Sequence, residues 1–341
     1  MQYRPLGNTG LYVSQICLGC MTFSKGDQPT DALIGTTGVE LAETMVNRAL
    51  DAGVNFFDTA NMYSKGQSEE LLGKALGARR KDAIIATKVH FPFNDNPNAL
   101  GQGRVAIYRE LEASLRRLGT DYIDLYQVHS FDPTTPLEET MTTLNDVVRA
   151  GKVRYIGLSN YAAWQIAQAN GIAERRGFEK FCSVQAYYSL AGRELEREIL
   201  PAARALGLGV MVWSPLAGGF LSGKYTREGG EGRRKLFTFP PVHPERGYEI
   251  VDVLRDIAGA RDVSPARVAL AWLLHQEGVT SVIVGARKLH QLEDNLQAAE
   301  LELSAEELQR LDEISKLAPE YPHWMPPMPR GMTLEKAWGL S

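Results

Sequence analysis

Four polar residues with complementary acid–base properties lie at or just past the ends of short apolar segments. They are Asp58, Tyr63, Lys88 and His129. A free tyrosine has a pKa of about 10, which a neighbouring lysine ammonium lowers. Asp58 can provide the counter-ion that a partly buried Lys88 requires, and His129 can donate a hydrogen bond to the same substrate oxygen as Tyr63. The set therefore predicts protonation of a carbonyl oxygen by Tyr63 while another group delivers hydride.

The elements that must position these residues alternate regularly along the chain. Short strand-like segments are separated by longer segments with apolar residues at three- and four-residue steps, which is typical of helices. Eight predicted strands cover 16–19, 54–57, 83–87, 123–128, 153–158, 181–184, 209–212 and 281–284. Predicted helices cover 39–52, 68–79, 104–118, 137–150, 161–176, 194–206, 265–277 and 288–299. Eightfold alternation predicts an α/β fold, a closed (β/α)8 TIM barrel.

The remaining segments complete this prediction. A hairpin is expected around Gly7-Asn8-Thr9-Gly10, before the barrel. No linker divides the chain, so we expect one barrel domain over 1–341 with an irregular C-terminal tail at 318–341. Long loops at 22–38, 91–103 and 216–247 follow predicted strands and should lie at the C-terminal rim, where barrel enzymes have their active sites. We expect 216–247 to be a lid.

Strands five to seven add a second polar set at the same rim. Ser159 and Asn160 end the fifth predicted strand, and Gln185 follows the sixth. One hydroxyl and two side-chain amides next to the predicted acid could bind a carboxamide such as that of nicotinamide. Trp213 follows the seventh strand and offers a flat face to a planar ring.

The eighth strand is followed by a predicted anion site. Arg287 comes just before a helix that contains Gln291, Asp294 and Asn295. A helix start with an adjacent arginine suits a phosphate. A phosphate on the ribose would favour NADPH over NADH, and Asp294 or Asn295 could contact the adenine. The cofactor expected from these residues is NADPH.

Six segments together resemble the aldo-keto reductase family, especially its long-loop branch of bacterial general reductases and potassium-channel β-subunits. The segments are 57–63, 86–88, 125–129, 157–160, 213–216 and 283–287, and the likeness extends from about residue 3 to residue 315. The resemblance implies a catalytic tetrad of Asp58, Tyr63, Lys88 and His129. It implies cofactor contacts from Ser159, Asn160, Gln185, Trp213, Ser214, Pro215, Leu216, Lys224, Gly285, Arg287, Gln291 and Asn295.

Apolar residues after strands one, three and four are candidates for the substrate pocket. They are Met21, Thr22, Phe23, Phe91, Phe93 and Phe131. Trp324 in the tail could close the pocket. Such a lining suggests aromatic or medium-sized aldehydes and ketones as small-molecule substrates.

Composition excludes several other classes. The net charge is −4 and basic residues form no stripe, which argues against nucleic-acid binding. The N-terminus lacks the apolar core of a signal peptide, and no apolar run is long enough to span a bilayer. Three cysteines do not form a disulfide framework. We expect a cytoplasmic protein that uses no metal and binds no membrane. The sequence leaves both a monomer and a homo-oligomer as alternatives.

Two other functions remain open at this stage. The first is an NADPH-binding partner or redox-sensor subunit with slow turnover, as the channel-subunit branch allows. The second is a metal-dependent barrel hydrolase. The predicted strand ends lack the grouped histidines and carboxylates that such a hydrolase needs, which favours the reductase.

Overall fold

Eight parallel strands close into a barrel in the computed structural model, as the alternation predicts. The structure describes residues 1–341 except 30, 93–95, 231, 233, 235–236, 326–327 and 340–341. In chain order the barrel strands are Ile16–Gly19, Phe56–Asp58, Ile84–Val89, Ile123–Val128, Val153–Ser159, Ser183–Tyr187, Gly209–Trp213 and Val279–Val284. Each pairs with the next, and the eighth pairs with the first. The chain therefore folds as a (β/α)8 TIM barrel.

In the described part of the chain, ten helices each bury residues beside the barrel strands. They are Val39–Asp51, Gln67–Leu76, Arg104–Leu118, Leu137–Arg149, Ala163–Arg176, Ile199–Leu206, Pro244–Arg261, Pro265–His275, Leu289–Gln297 and Ala305–Ser315. Two short helices, Asp31–Ile34 and Leu334–Ala337, have no buried residue. In Arg104–Leu118 the predicted period is present, since Ile107, Leu111, Leu115 and Leu118 are all buried. Among the described residues, no helix combines the length and apolar character needed to cross a membrane.

An apolar layer fills the N-terminal end of the barrel, below the polar residues of the C-terminal rim. Strands Tyr3–Pro5 and Tyr12–Ser14 form the predicted antiparallel hairpin before the barrel. Its residues Leu6 and Val13 pack on inward-facing strand residues such as Phe56, Ala86 and Leu125. Because strand side chains alternate between the two faces, the next inward residues on the same strands are Asp58, Lys88 and Gln127. The polar residues Asp58, Lys88 and Gln127 therefore form the layer directly above the apolar core.

Two long helices were missing from the sequence-based assignment. Pro244–Arg261 begins inside the segment predicted as a loop, and Ala305–Ser315 follows the last predicted helix. The two helices pack on each other. Proline in the first turn of Pro244–Arg261 suits a helix start, but its internal glycines weaken the sequence signal. The rest of the predicted loop includes the short strands Tyr225–Thr226 and Gly229–Gly230.

Candidate active site

A buried ion pair joins the second and third strands at the C-terminal rim. Lys88 Nζ lies 2.5 Å from Asp58 Oδ1, and the two side chains are 0% and 4% exposed. The same ammonium donates to the carbonyl oxygen of Thr59 at 2.7 Å. Burial lowers the pKa of Lys88, but the combined effects of Asp58 and Tyr63 are larger and raise this pKa above its ordinary value. The structure therefore keeps a cation on Lys88 in a site shielded from water.

Two side-chain amides hold the other oxygen of Asp58. Gln185 Nε2 donates to Asp58 Oδ2 at 2.8 Å, and Gln127 Nε2 donates to the same oxygen at 3.3 Å. Both glutamines are buried. A buried carboxylate is stable only when its oxygens are hydrogen-bonded or paired, and here both oxygens have such partners.

Tyr63 reaches the ion pair from the loop after the second strand. Its hydroxyl lies 3.4 Å from Lys88 Nζ, and this ammonium is 4.9 Å from the centre of its ring. Ser64 and Lys65, with φ of 46° and 53°, turn the chain sharply just after it. Burial raises the pKa of Tyr63, and the attraction of Lys88 offsets this only in part. The prediction of a net lowered pKa is wrong for this structure, because desolvation is the larger effect.

His129 completes the group of four. Its ring packs edge-on against Tyr63 and Phe91, with centroid separations of 5.7 Å and 5.2 Å. Burial, with smaller contributions from Lys88 and His90, holds the pKa of His129 well below its ordinary value. The imidazole is therefore neutral at pH 7. Its Nδ1 is buried and has no hydrogen-bond partner among the described residues, so a proton is less costly on Nε2.

A chain of hydrogen bonds links the fourth, fifth and seventh strands. Asn160 adopts φ of 58° and donates from Nδ2 to the carbonyl oxygen of His129 at 2.9 Å and to Ser159 Oγ at 3.0 Å. Trp213 Nε1 donates to Asn160 Oδ1 at 3.1 Å. The predicted carboxamide-binding set of Ser159, Asn160 and Gln185 is thus placed on one side of the tetrad, with Trp213 beside it.

The chain after Trp213 forms a backbone cradle. Ser214 and Ala217 have φ of 51° and 49°, and Gly218 and Gly219 have φ of 67° and 89°. Pro215 is buried and Leu216 half-buried within this turn. The Gly218 amide donates to Ser214 Oγ at 3.0 Å. Leu216, with φ of −101° and ψ of 18°, precedes the left-handed Ala217, and a right-handed residue followed by a left-handed one forms a concave nest that suits anions.

The predicted Lys224 lies against this cradle. A Cβ added at Gly219 would lie 3.3 Å from Lys224 Nζ, so the ammonium is close to the turn. The chemistry of amides, hydroxyl and ammonium fits a pyrophosphate.

The turn after the eighth strand holds the predicted phosphate-binding residues. The Arg287 amide donates to Gln291 Oε1 at 3.0 Å, and Asn295 Nδ2 lies 3.5 Å from the Gly285 carbonyl oxygen. Arg287 is exposed, and the space beside Gly285 is open. Asp294 is instead paired with Arg267 at 2.6 Å, which engages the carboxylate that was predicted to meet an adenine.

Aromatic side chains surround the opening, but the predicted substrate-pocket residues are not all equivalent. Phe91 contacts His129, while Phe131 packs on Tyr161 and Trp164 at 5.2 Å and 6.1 Å. Met21 is half-buried at the rim, and Phe23 is 1% exposed and packs within the larger hydrophobic cluster. Thr22 is likewise buried. Phe93 lies outside the described residues, and Trp324 packs on Tyr321 at 5.9 Å in the tail.

Sequence reasoning missed two residues that contact this site. Gln127 lies two residues before His129 and points inward, so strand alternation could have assigned it to the layer of Asp58 and Lys88. Phe239 stacks on Trp213 with a centroid distance of 5.7 Å and an interplanar angle of 13°. No local pattern could have revealed the second contact, because it joins a loop residue to a strand end far away in sequence.

Comparison with known proteins agrees with the barrel fold. Residues 15–316 match the Aldo/keto reductase family. An uncharacterized oxidoreductase, YrpG of Bacillus subtilis, is 41% identical, with 92% of this chain and 96% of that protein aligned. Versiconal hemiacetal acetate reductase of Aspergillus parasiticus is 35% identical over 92% of this chain and 96% of its own length. A probable voltage-gated potassium channel subunit beta of rice is 37% identical over 88% and 92%.

The fold and these matches define the class of the protein. The chain belongs to the aldo-keto reductase family. It is an oxidoreductase of a family that generally uses nicotinamide cofactors.

Proposed function

We propose that the protein is an NADPH-dependent reductase that converts aldehydes or ketones to alcohols. The observation that carries the proposal is the contact of one buried ammonium, Lys88, with both Asp58 and the Tyr63 hydroxyl, at 2.5 Å and 3.4 Å. This arrangement keeps a proton donor next to a fixed positive charge. It suits a reaction in which negative charge develops on a substrate oxygen.

The residues act on the carbonyl oxygen in distinct ways. The bound cofactor would supply the hydride. Tyr63 holds its proton at neutral pH, since burial raises its pKa, and it donates that proton to the oxygen. Lys88 stabilises the phenolate that remains. His129, neutral because burial lowers its pKa, donates from Nε2 and fixes the position of the carbonyl.

NADPH fits the donors of the other half of the rim. Ser159, Asn160 and Gln185 would hold the carboxamide, and Trp213 would pack on the nicotinamide ring. The cradle of Ser214, Pro215 and Leu216 with Lys224 would hold the pyrophosphate. Exposed Arg287 beside Gly285, with Gln291 and Asn295, would take the 2′-phosphate end. Asp294, bound to Arg267, would position the helix rather than contact the cofactor.

The direct test is NADPH oxidation at 340 nm with a small panel of aromatic and aliphatic aldehydes, with NADH for comparison. We expect NADPH-preferring turnover that falls by at least about a hundredfold in Tyr63→Phe, with the Kd for NADPH nearly unchanged. Tyr126→Phe is a matched control, because its buried hydroxyl has no hydrogen-bond partner among the described residues. Near-normal turnover of Tyr63→Phe would exclude Tyr63 as the acid.

A second candidate is an NADPH-binding partner or redox-sensor subunit with slow turnover. The similarity to the rice protein named as a potassium channel subunit favours it. Tight NADPH binding without turnover across the aldehyde panel would move the assignment to this role. A stable complex with a membrane protein would support it further, and the cytoplasmic location stays a prediction under both functions.

A further inference from the structure

A closed triangle of hydrogen bonds lies beneath the tetrad. Asp58 Oδ2 accepts from Gln185 Nε2 at 2.8 Å and from Gln127 Nε2 at 3.3 Å. Gln185 Nε2 also lies 3.5 Å from Gln127 Oε1. We propose that Gln127 is a positioning residue for the reaction, which fixes both the Asp58 carboxylate and the orientation of the Gln185 amide. This inference rests on the proposed reductase function.

Hydrogen-bond chemistry determines which way the amides face. A carboxylate only accepts, so both glutamines must present their NH2 groups to Asp58. The second hydrogen of Gln185 Nε2 points to Gln127 Oε1, which leaves Gln185 Oε1 as an acceptor without a partner in the described part of the chain. A carboxamide would then donate its own NH2 to that oxygen. Gln127 therefore prevents Gln185 from rotating to the orientation that would repel a carboxamide NH2.

The barrel makes room for Gln127 at one position of the fifth strand. A Cβ added at Gly157 would lie 2.5 Å from Ser183 Oγ and 3.2 Å from Gln127 Cγ. Any larger residue would push into the space that Gln127 and Ser183 fill. Gln127 is itself 0% exposed, so its side chain is held on all sides. The glycine and the glutamine thus form one packing unit.

The same bonds set the electrostatic potential of the tetrad. Each amide N–H places a partial positive charge against Asp58. Removing one makes the local potential more negative, which favours the protonated forms of Lys88 and Tyr63. A variant that loses the Gln127 amide should therefore have its pH–activity profile moved to higher pH. A residue with a purely structural role would lower activity without moving the profile.

The first test replaces Gln127 with methionine, which has a similar shape and no N–H donor, in the full-length protein. We expect kcat to fall about ten- to a hundredfold, KM for the aldehyde to change much less, and both limbs of the profile to move to higher pH. Ser183→Ala is the matched control, because Ser183 lies in the same interior layer, and it should keep the wild-type profile. Gly157→Ala should reproduce the shift of Gln127→Met in a milder form by displacing Gln127.

The second test measures binding by calorimetry, independently of turnover. The 3-acetylpyridine analogue of the reduced cofactor carries a methyl group in place of the carboxamide NH2. The wild type should bind NADPH about tenfold or more tightly than the analogue, and Gln127→Met should lose most of this preference. An unchanged preference together with an unchanged pH profile would overturn the role of Gln127. If the wild type reduces no aldehyde, the reductase proposal fails, while the calorimetric ratio still decides the role of Gln127.

Discussion

The two halves of the barrel rim are built in opposite ways. At the second to fourth strands, Lys88 and Asp58 are almost completely buried and bonded to several fixed partners. At the seventh and eighth strands, Lys224 and Arg287 are exposed, and the backbone turn 214–219 shapes the surface. The first half is preorganised through side-chain bonds in a dry interior; the second is an open cradle.

This difference corresponds to two different tasks. A group that stabilises developing charge works best when it needs no rearrangement during the reaction. A cofactor that must enter and leave in every turnover requires an accessible site with charges that water can screen. We therefore expect substitutions in the buried half to affect folding and catalysis together, and substitutions in the open half to affect binding alone.

The largest expected effect comes from Lys88→Met. The substitution leaves Asp58 as a buried carboxylate without its cation, which should reduce the free energy of unfolding by about 3–5 kcal/mol at pH 7. Lys25→Met is the matched control at an exposed ion pair with Glu70, where the loss should stay below about 1 kcal/mol. Urea denaturation measures both. Equal losses in the two variants would show that the buried pair is not special.

Arg287→Ala tests the open half. Loss of the guanidinium should raise the Kd for NADPH about ten- to a hundredfold and leave the Kd for NADH within about threefold, because only NADPH carries a 2′-phosphate. Thermal unfolding should be unchanged, since Arg287 is exposed. Calorimetric titration with both cofactors measures the ratio. A parallel loss for NADPH and NADH would refute the proposed phosphate contact.

A pH titration of stability sharpens the description of the buried half. The folded protein keeps His129 neutral, because burial lowers its pKa, whereas the unfolded chain takes up a proton as the pH falls through about 6.5. The stabilisation is therefore complete above pH 6.5. It declines on acidification by up to about 1.4 kcal/mol per pH unit for this one group.

His129→Gln should reduce this slope between pH 6.5 and 5 when unfolding is followed in urea. Part of the slope should remain, because burial also lowers the pKa of His90. Identical slopes in the variant and the wild type would show that His129 titrates in the same way in the folded and unfolded states.

The halves also differ in how far the sequence predicts them. Apolar runs of the right length predicted all eight strands, and their ends placed Asp58, Lys88 and His129 on neighbouring strands. That reasoning works because parallel strands of a barrel end at a common rim. It failed on the net pKa of Tyr63, since the balance between desolvation and the charge of Lys88 depends on burial that a sequence does not reveal.

The sequence analysis also did not predict contacts between segments that are distant along the chain. The Gln127–Asp58 hydrogen bond joins the fourth strand to the second. The two residues meet because the barrel curves, and local sequence spacing does not predict this contact. The helix Pro244–Arg261 was hidden because its glycines and its start next to a Pro-rich loop resemble a connection. Tertiary packing stabilises this helix, and propensity alone does not predict it.

The smallest expected effect is on cofactor association and concerns the predicted lid, 216–247, where Phe239 covers Trp213. Phe239 stacks on Trp213, with Phe237 stacked on Phe239 at 5.5 Å and 27°. A centroid distance of 5.7 Å leaves no room for a third ring between Trp213 and Phe239. A nicotinamide that packs on this face of Trp213 must first displace Phe239.

Phe239→Ala should therefore speed the association of NADPH, followed by stopped-flow tryptophan fluorescence. The expected gain is about two- to tenfold, the value of one aromatic pair. Phe237→Ala is the matched control, because it removes the outer ring and leaves the ring on Trp213 in place, so its gain should be smaller. An association rate that is unchanged in Phe239→Ala would mean that the cofactor binds without displacing Phe239. The cofactor would then enter the cradle without any movement of the loop. The cofactor half of the rim would be fully accessible, in contrast to the buried catalytic half.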